Sequence, residues 1–199
     1  ETFFFRDDRQ LKVLTENILP ALIERKKDKE IKIWSAGCAT GEEPYSIAMA
    51  LMESHLPDDI NVSIYATDIS GVALNRAKEG IYNKSRMRAI DKEMLNKYFT
   101  LRDGQYLLHD QVKRRVRFET VNLIEPCIPM GGESIDIIIC KNVLIYFRTE
   151  TVKTIIRKFY NMLTDGGYLF VGHSESLWQI SDDFDLEEVS GVFVYRKEG

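Results

Sequence analysis

The chain has 199 residues, 44% hydrophobic and 29% charged, enough to bury one substantial core without a second domain. Its net charge of −4 argues against a general nucleic-acid binder, and no apolar run approaches the roughly 20 residues that span a bilayer. Cys38, Cys127 and Cys140 have neither the number nor the spacing of a disulfide framework or a metal site. The opening ETFFFRDDRQ lacks the order of a signal peptide, so an unexported protein in a reducing cytoplasm is expected.

Strands and helices alternate along the chain, the pattern of a parallel sheet covered on both faces. A helix is predicted from about Arg9 to Lys27, with Leu11, Leu14, Ile18 and Leu22 at helical spacing and Pro20 as a kink or restart. Ile31 to Ser35 reads as a strand. Glu43 to His55 reads as a helix, with Pro44 in its first turn, Pro57 beyond its end, and Met49 and Met52 as core residues. A strand over Asn61 to Thr67 follows, then a helix capped by Ser70, running through Lys78 and stopped by Gly80.

The rhythm breaks at Tyr82 to Val112, which is too long and polar for one crossover and reads as an insertion. Within it Asp91 to Phe99 is helical, and Arg102 to Tyr106 forms a small hairpin. Strands resume at Val116 to Val121 and Ile135 to Cys140. An amphipathic helix over Thr149 to Leu163 and a strand over Gly167 to Val171 follow, and two alternating runs around Ser190 and Gly191 close the chain as an antiparallel hairpin. From Lys84 to Arg117 there are ten basic residues against four acidic. That excess suits either a solvated face or a docking face for an acidic macromolecule.

The chemistry concentrates in IKIWSAGCATGEEP, residues 31–44, where a strand enters a glycine-bearing turn and then a helix opening with two carboxylates. Gly37 and Gly41 let the backbone turn sharply and approach a ligand, and Asp68, 25 positions after Glu43, ends the next strand where ribose hydroxyls are usually held. An adenosine-containing cofactor is therefore expected. The spacing departs from G-x-G-x-x-G, and Glu42 and Glu43 would repel a pyrophosphate at the helix N-terminus. S-adenosylmethionine, with an ammonium, a sulfonium and no phosphate, fits that charge, although one of the two glutamates could simply complement the helix dipole.

TFFFR, WSAGCATGEEPYSIAM, YATDIS, VNL, CKNVLIYF and GGYLFVGHSE, in this order, resemble the CheR family of chemotaxis receptor methyltransferases over essentially the whole chain. The resemblance implies a class I methyltransferase fold: an α/β, Rossmann-like, mostly parallel seven-stranded sheet with a terminal antiparallel hairpin. It implies one catalytic domain over 1–199, with a small β subdomain inserted at about 82–113. It further implies methyl esterification of glutamates on chemoreceptors, with S-adenosylhomocysteine as product and acidic receptor helices as partners. Carried over by position, Thr2, Arg6, Glu43, Asp68, Asn122 with Leu123, and Asn142 with Val143 would line the cofactor site, and Arg6 and Tyr146 would be the active-site polar pair. The family's helical module before TFFFR is missing from this sequence, and its small β insertion corresponds here to Thr100 to Val112.

Beside that resemblance, Asp68 suits both ribose hydroxyls, Glu43 a methionyl ammonium, and Leu123 and Val143 the adenine. Asn122 and Asn142 suit polar contacts at the sheet edge, with turn chemistry as the alternative. Arg6 is read as orienting carboxylates and Tyr146 as meeting the incoming carboxylate or packing near the sulfonium. His173 is given a loop-ordering role, and Phe3, Phe4 and Phe5 core or lid packing. Two other readings keep the cofactor: a regulatory domain that senses it, and a methyltransferase acting on another carboxylate or protein.

Overall fold

The computed structural model describes residues 2–125 and 129–199; Cys127 lies outside them. The chain first forms α1 (Asp8–Val13), a π turn (Leu14–Ile18) and α2 (Leu19–Arg25). This is the first predicted helix, interrupted ahead of Pro20. Proline has no N–H to donate and its ring crowds the carbonyl four residues back, so the widened turn relieves the clash without a bend to a new direction being required. β1 (Glu30–Ala36), α3 (Glu42–Glu53), β2 (Asn61–Asp68) and α4 (Gly71–Glu79) follow. Ser70 Oγ accepts the Ala73 N–H at 3.2 Å and Gly80 takes a φ of +68° at the other end of α4. Ser70→Ala is expected to cost about 1 kcal/mol, a fall of roughly 2–4 °C in melting temperature by calorimetry.

Between α4 and the next long strand lie β3 (Ile81–Tyr82), a 3₁₀ turn (Lys84–Met87), α5 (Lys92–Tyr98), β4 (Phe99–Arg102), β5 (Gln105–Leu108) and α6 (Asp110–Lys113). β3, β5 and β4 form their own three-stranded antiparallel sheet, and the Asp103–Gly104 turn has positive φ at both residues, as a two-residue hairpin requires. Most of the basic side chains from Lys84 to Arg117 are exposed here.

The remaining elements are β6 (Val116–Thr120), β7 (Ile135–Cys140), α7 (Thr149–Met162), β8 (Leu163–Val171), β9 (Phe184–Val189) and β10 (Val192–Lys197). With them the main sheet has seven strands in the order β6-β2-β1-β7-β8-β10-β9. The first five are parallel, and β10 runs antiparallel to both neighbours. The class I methyltransferase architecture is therefore present, including its terminal hairpin. β8 starts four residues earlier than its apolar pattern suggested, because Leu163 pairs with Ile135 across a register shift.

Alternate residues of the central strands feed two cores. Ile31, Ile33, Ile137, Ile139 and Phe170 pack on the side of α1 to α3, while Trp34, Ile138 and Leu169 pack against Ile155, Ile156 and Phe159 of α7. All six β7 residues are buried, as a strand covered on both faces demands. Met49 is fully buried, whereas Met52 is half-buried at the edge of this packing. The strand order reverses between β1 and β7, and there the carboxyl ends of the strands diverge into a crevice.

Candidate functional site

A cavity of about 650 Å³ occupies that crevice. Its floor is the β1 turn, where the Gly37 and Cys38 N–H groups both donate to Thr67 O, at 2.8 and 2.9 Å. Gly37 has a φ of +80°, and a Cβ there would lie 2.5 Å from Val143 Cγ2, so only glycine lets this turn pass beneath Val143. Asp68 ties the turn to β2: one carboxylate oxygen accepts the Ala39 N–H at 2.8 Å and the other accepts the Ser70 N–H at 2.9 Å. Each oxygen keeps acceptor capacity beyond that bond.

The two glutamates opening α3 part company. Glu43 lines the cavity, while Glu42 is fully buried, outside the lining, accepting from Thr40 Oγ1 and lying 3.5 Å from Arg86 Nε. Burial pushes the Glu42 carboxyl above its usual range, opposed by Thr40 and Arg86. The expectation that both carboxylates repel a pyrophosphate is thus corrected to Glu43 alone. A third cavity-lining carboxylate beside Glu43 and Asp68, that of Asp7, comes from just before α1.

The wall beyond β7 is one turn, Asn142 to Ile145, held by Glu175. That buried carboxylate accepts the backbone N–H groups of Asn142 (2.7 Å), Val143 (2.9 Å), Leu144 (2.8 Å), Ile145 (3.4 Å) and Gly172 (2.8 Å). Loop ordering, expected of His173, belongs to Glu175. His173 is 74% exposed, with Nε2 3.4 Å from Asp7 Oδ1. Asn142 adopts a φ of +59°, a conformation its side chain tolerates better than most, so turn chemistry accounts for part of its identity. Asn122 Oδ1 likewise accepts the Ile124 N–H at 3.1 Å.

Over the cavity runs the segment 2–7. Phe4 is fully buried, edge-on to Tyr82 and Phe99 at 4.8 and 5.1 Å, and its N–H donates to Arg86 O at 3.0 Å. The Phe5 N–H donates to Ser46 Oγ at 3.0 Å, and Arg86 also bonds the Thr2 carbonyl. Phe4 and Phe5 are therefore core, and Phe3 faces the cavity with the Arg88 guanidinium 3.7 Å from its ring centre. The inserted small sheet thus bolts down the strap that carries Thr2 and Arg6.

Thr2, Arg6, Glu43, Asp68, Asn122, Leu123, Asn142, Val143 and Tyr146 all line this one cavity. Tyr146 is 80% exposed at its mouth, and Arg6 is exposed as well. Sequence reasoning passed over Lys141, whose side chain is 8% exposed between Asp7 and Glu43. A lysine directly after the apolar run Ile137 to Cys140 was the available signal. The donor set fits S-adenosylmethionine: a strand-end carboxylate for ribose, apolar Leu123 and Val143, and acidic groups in place of a phosphate cradle.

A family model described as "CheR methyltransferase, SAM binding domain" matches residues 1–193. The chain is 39% identical over 200 residues to chemotaxis protein methyltransferase 2 of Vibrio cholerae, covering 99% of this chain and 69% of that protein. It is 36% identical over 202 residues to chemotaxis protein methyltransferase 1 of Pseudomonas aeruginosa, covering 98% of this chain and 73% of that one. Among solved structures, TrmN from Thermus thermophilus aligns with a TM-score of 0.54 at 15% identity, over 95% of this chain and 47% of that one, a likeness of fold alone. No helix of the described residues is long and apolar enough to cross a membrane.

Proposed function

This chain belongs to the CheR methyltransferase family, and we propose that it esterifies glutamate side chains on the cytoplasmic helices of chemoreceptors. It is a methyltransferase whose cofactor is S-adenosylmethionine. The observation that carries the substrate reading is the placement of Arg6 and Tyr146 at the mouth of a cavity whose deeper wall holds Asp68 and Glu43. When bound, the cofactor supplies a methyl group on a sulfonium. A substrate glutamate, with a reference pKa of about 4.3, is already the carboxylate nucleophile at neutral pH, so this chain needs no general base. Its residues contribute alignment and exclusion of water. Asp68 holds the ribose, Glu43 the methionyl ammonium, and Leu123 and Val143 the adenine, while Asn122 and Asn142 supply polar contacts and Thr2 closes the strap. Arg6 orients carboxylates, because a tight guanidinium grip on the nucleophile would drain its charge. Tyr146 donates a hydrogen bond to the incoming carboxylate.

Tyr146→Phe is expected to lower kcat about three- to tenfold, the worth of one hydrogen bond, with S-adenosylhomocysteine affinity unchanged. Unchanged turnover would remove Tyr146 from the mechanism. The exposed basic side chains between Lys84 and Arg117 support acidic receptor helices as the partner, and the cytoplasm is the compartment that this reading implies. The direct test is transfer of labelled methyl to receptor cytoplasmic fragments, followed by alkali. Methanol release identifies glutamyl esters; binding without transfer identifies a sensor, and alkali-stable label another acceptor.

A further inference from the structure

We propose that Lys141 is a further binding residue of the cavity, pairing with Glu43 to read the amino-acid end of the methyl donor. Lys141 Nζ donates to Asp7 Oδ2 at 2.9 Å and lies 3.2 Å from Glu43 Oε2, and all three side chains line the cavity. Their exposures are only 8%, 10% and 19%, so these charges are fixed in a largely water-free wall. The other Glu43 oxygen accepts from Ser35 Oγ at 2.8 Å, and the other Asp7 oxygen faces His173 Nε2 at 3.4 Å. An ammonium has three N–H donors. With one on Asp7 and one toward Glu43, the third has no protein partner among the described residues. Burial favours the neutral amine, but Glu43 and Asp7 outweigh it and hold the Lys141 pKa above the usual lysine value.

An α-amino acid carries an ammonium and a carboxylate on one carbon. A wall presenting a carboxylate beside an ammonium meets both by head-to-tail pairing, and charge-assisted hydrogen bonds are the strong ones. Two carboxylates against one ammonium leave this wall one negative charge. That balance suits a donor whose sulfonium adds a positive charge to the zwitterion. Lys141 also ties Asp7, and with it the strap bearing Arg6, to the Glu43 side of the cavity.

The inference rests on the cavity being the S-adenosylmethionine site, and its test separates the two. Titration calorimetry is run with S-adenosylhomocysteine and with 5′-methylthioadenosine, which shares the adenosine and thioether but lacks the amino acid. Lys141→Met is expected to weaken S-adenosylhomocysteine at least tenfold and to leave methylthioadenosine within twofold, with Lys141→Arg restoring most of the loss. Lys141→Gln keeps a donor without the charge, and is read the same way if the methionine variant does not fold. An unchanged affinity for S-adenosylhomocysteine, or an equal loss for both ligands, overturns the role of Lys141. A wild-type protein that binds neither ligand overturns the cofactor site itself.

Discussion

Asp68→Ala is expected to abolish S-adenosylhomocysteine binding, a loss of a hundredfold or more in titration calorimetry. The carboxylate has about four acceptor sites, and the Ala39 and Ser70 N–H groups use one on each oxygen. One further site on each oxygen suits the two ribose hydroxyls. Hydrogen bonds to a charged acceptor contribute about 1.5–3 kcal/mol each, so losing two weakens binding by roughly 10² to 10⁴. The variant also releases the Ala39 N–H, which loosens the turn that passes beneath Val143. Asp68→Asn separates these effects, since one oxygen remains to accept while the charge is gone, and an intermediate affinity is expected. If Asp68→Ala binds as tightly as the native chain, the ribose is held elsewhere.

Local patterns carried most of the architecture. The strand, turn and helix around Gly37, the Ser70 cap and the closing hairpin each depend on residues close in sequence, where spacing and φ preferences speak directly. The π turn did not show, because its apolar residues keep nearly the spacing of an ordinary helix. Charge at the site was legible only in outline. Glu42 and Glu43 look alike in sequence, yet a rotation of about 100° around α3 sends one to Arg86 and the other into the cavity. Lys141 and Glu175 were missed as site-building residues for a common reason: their partners lie 98 to 134 and 3 to 33 residues away, and nothing in the adjacent sequence announces them.

Glu175→Ala carries the largest expected cost to stability. Its carboxylate is the shared acceptor of five N–H groups, four of them successive, so the turn from Asn142 to Ile145 is shaped around it. Gly172 is part of the fit, since a Cβ there would lie 2.7 Å from Glu175 Oε2. Each buried N–H left without a partner costs about 1–3 kcal/mol, and water entering from the neighbouring cavity offsets part of it. A net loss of about 3–5 kcal/mol is expected, or roughly 10 °C in melting temperature for a chain of this length. Glu175→Gln should lose about half as much, because its amide group turns a donor toward N–H groups that need acceptors. Asn142, Val143 and Tyr146 all follow from this turn, so S-adenosylhomocysteine affinity should fall along with stability in both variants. Melting of Glu175→Ala at the native temperature would mean that the five amides find other acceptors and that the turn holds its shape without the carboxylate.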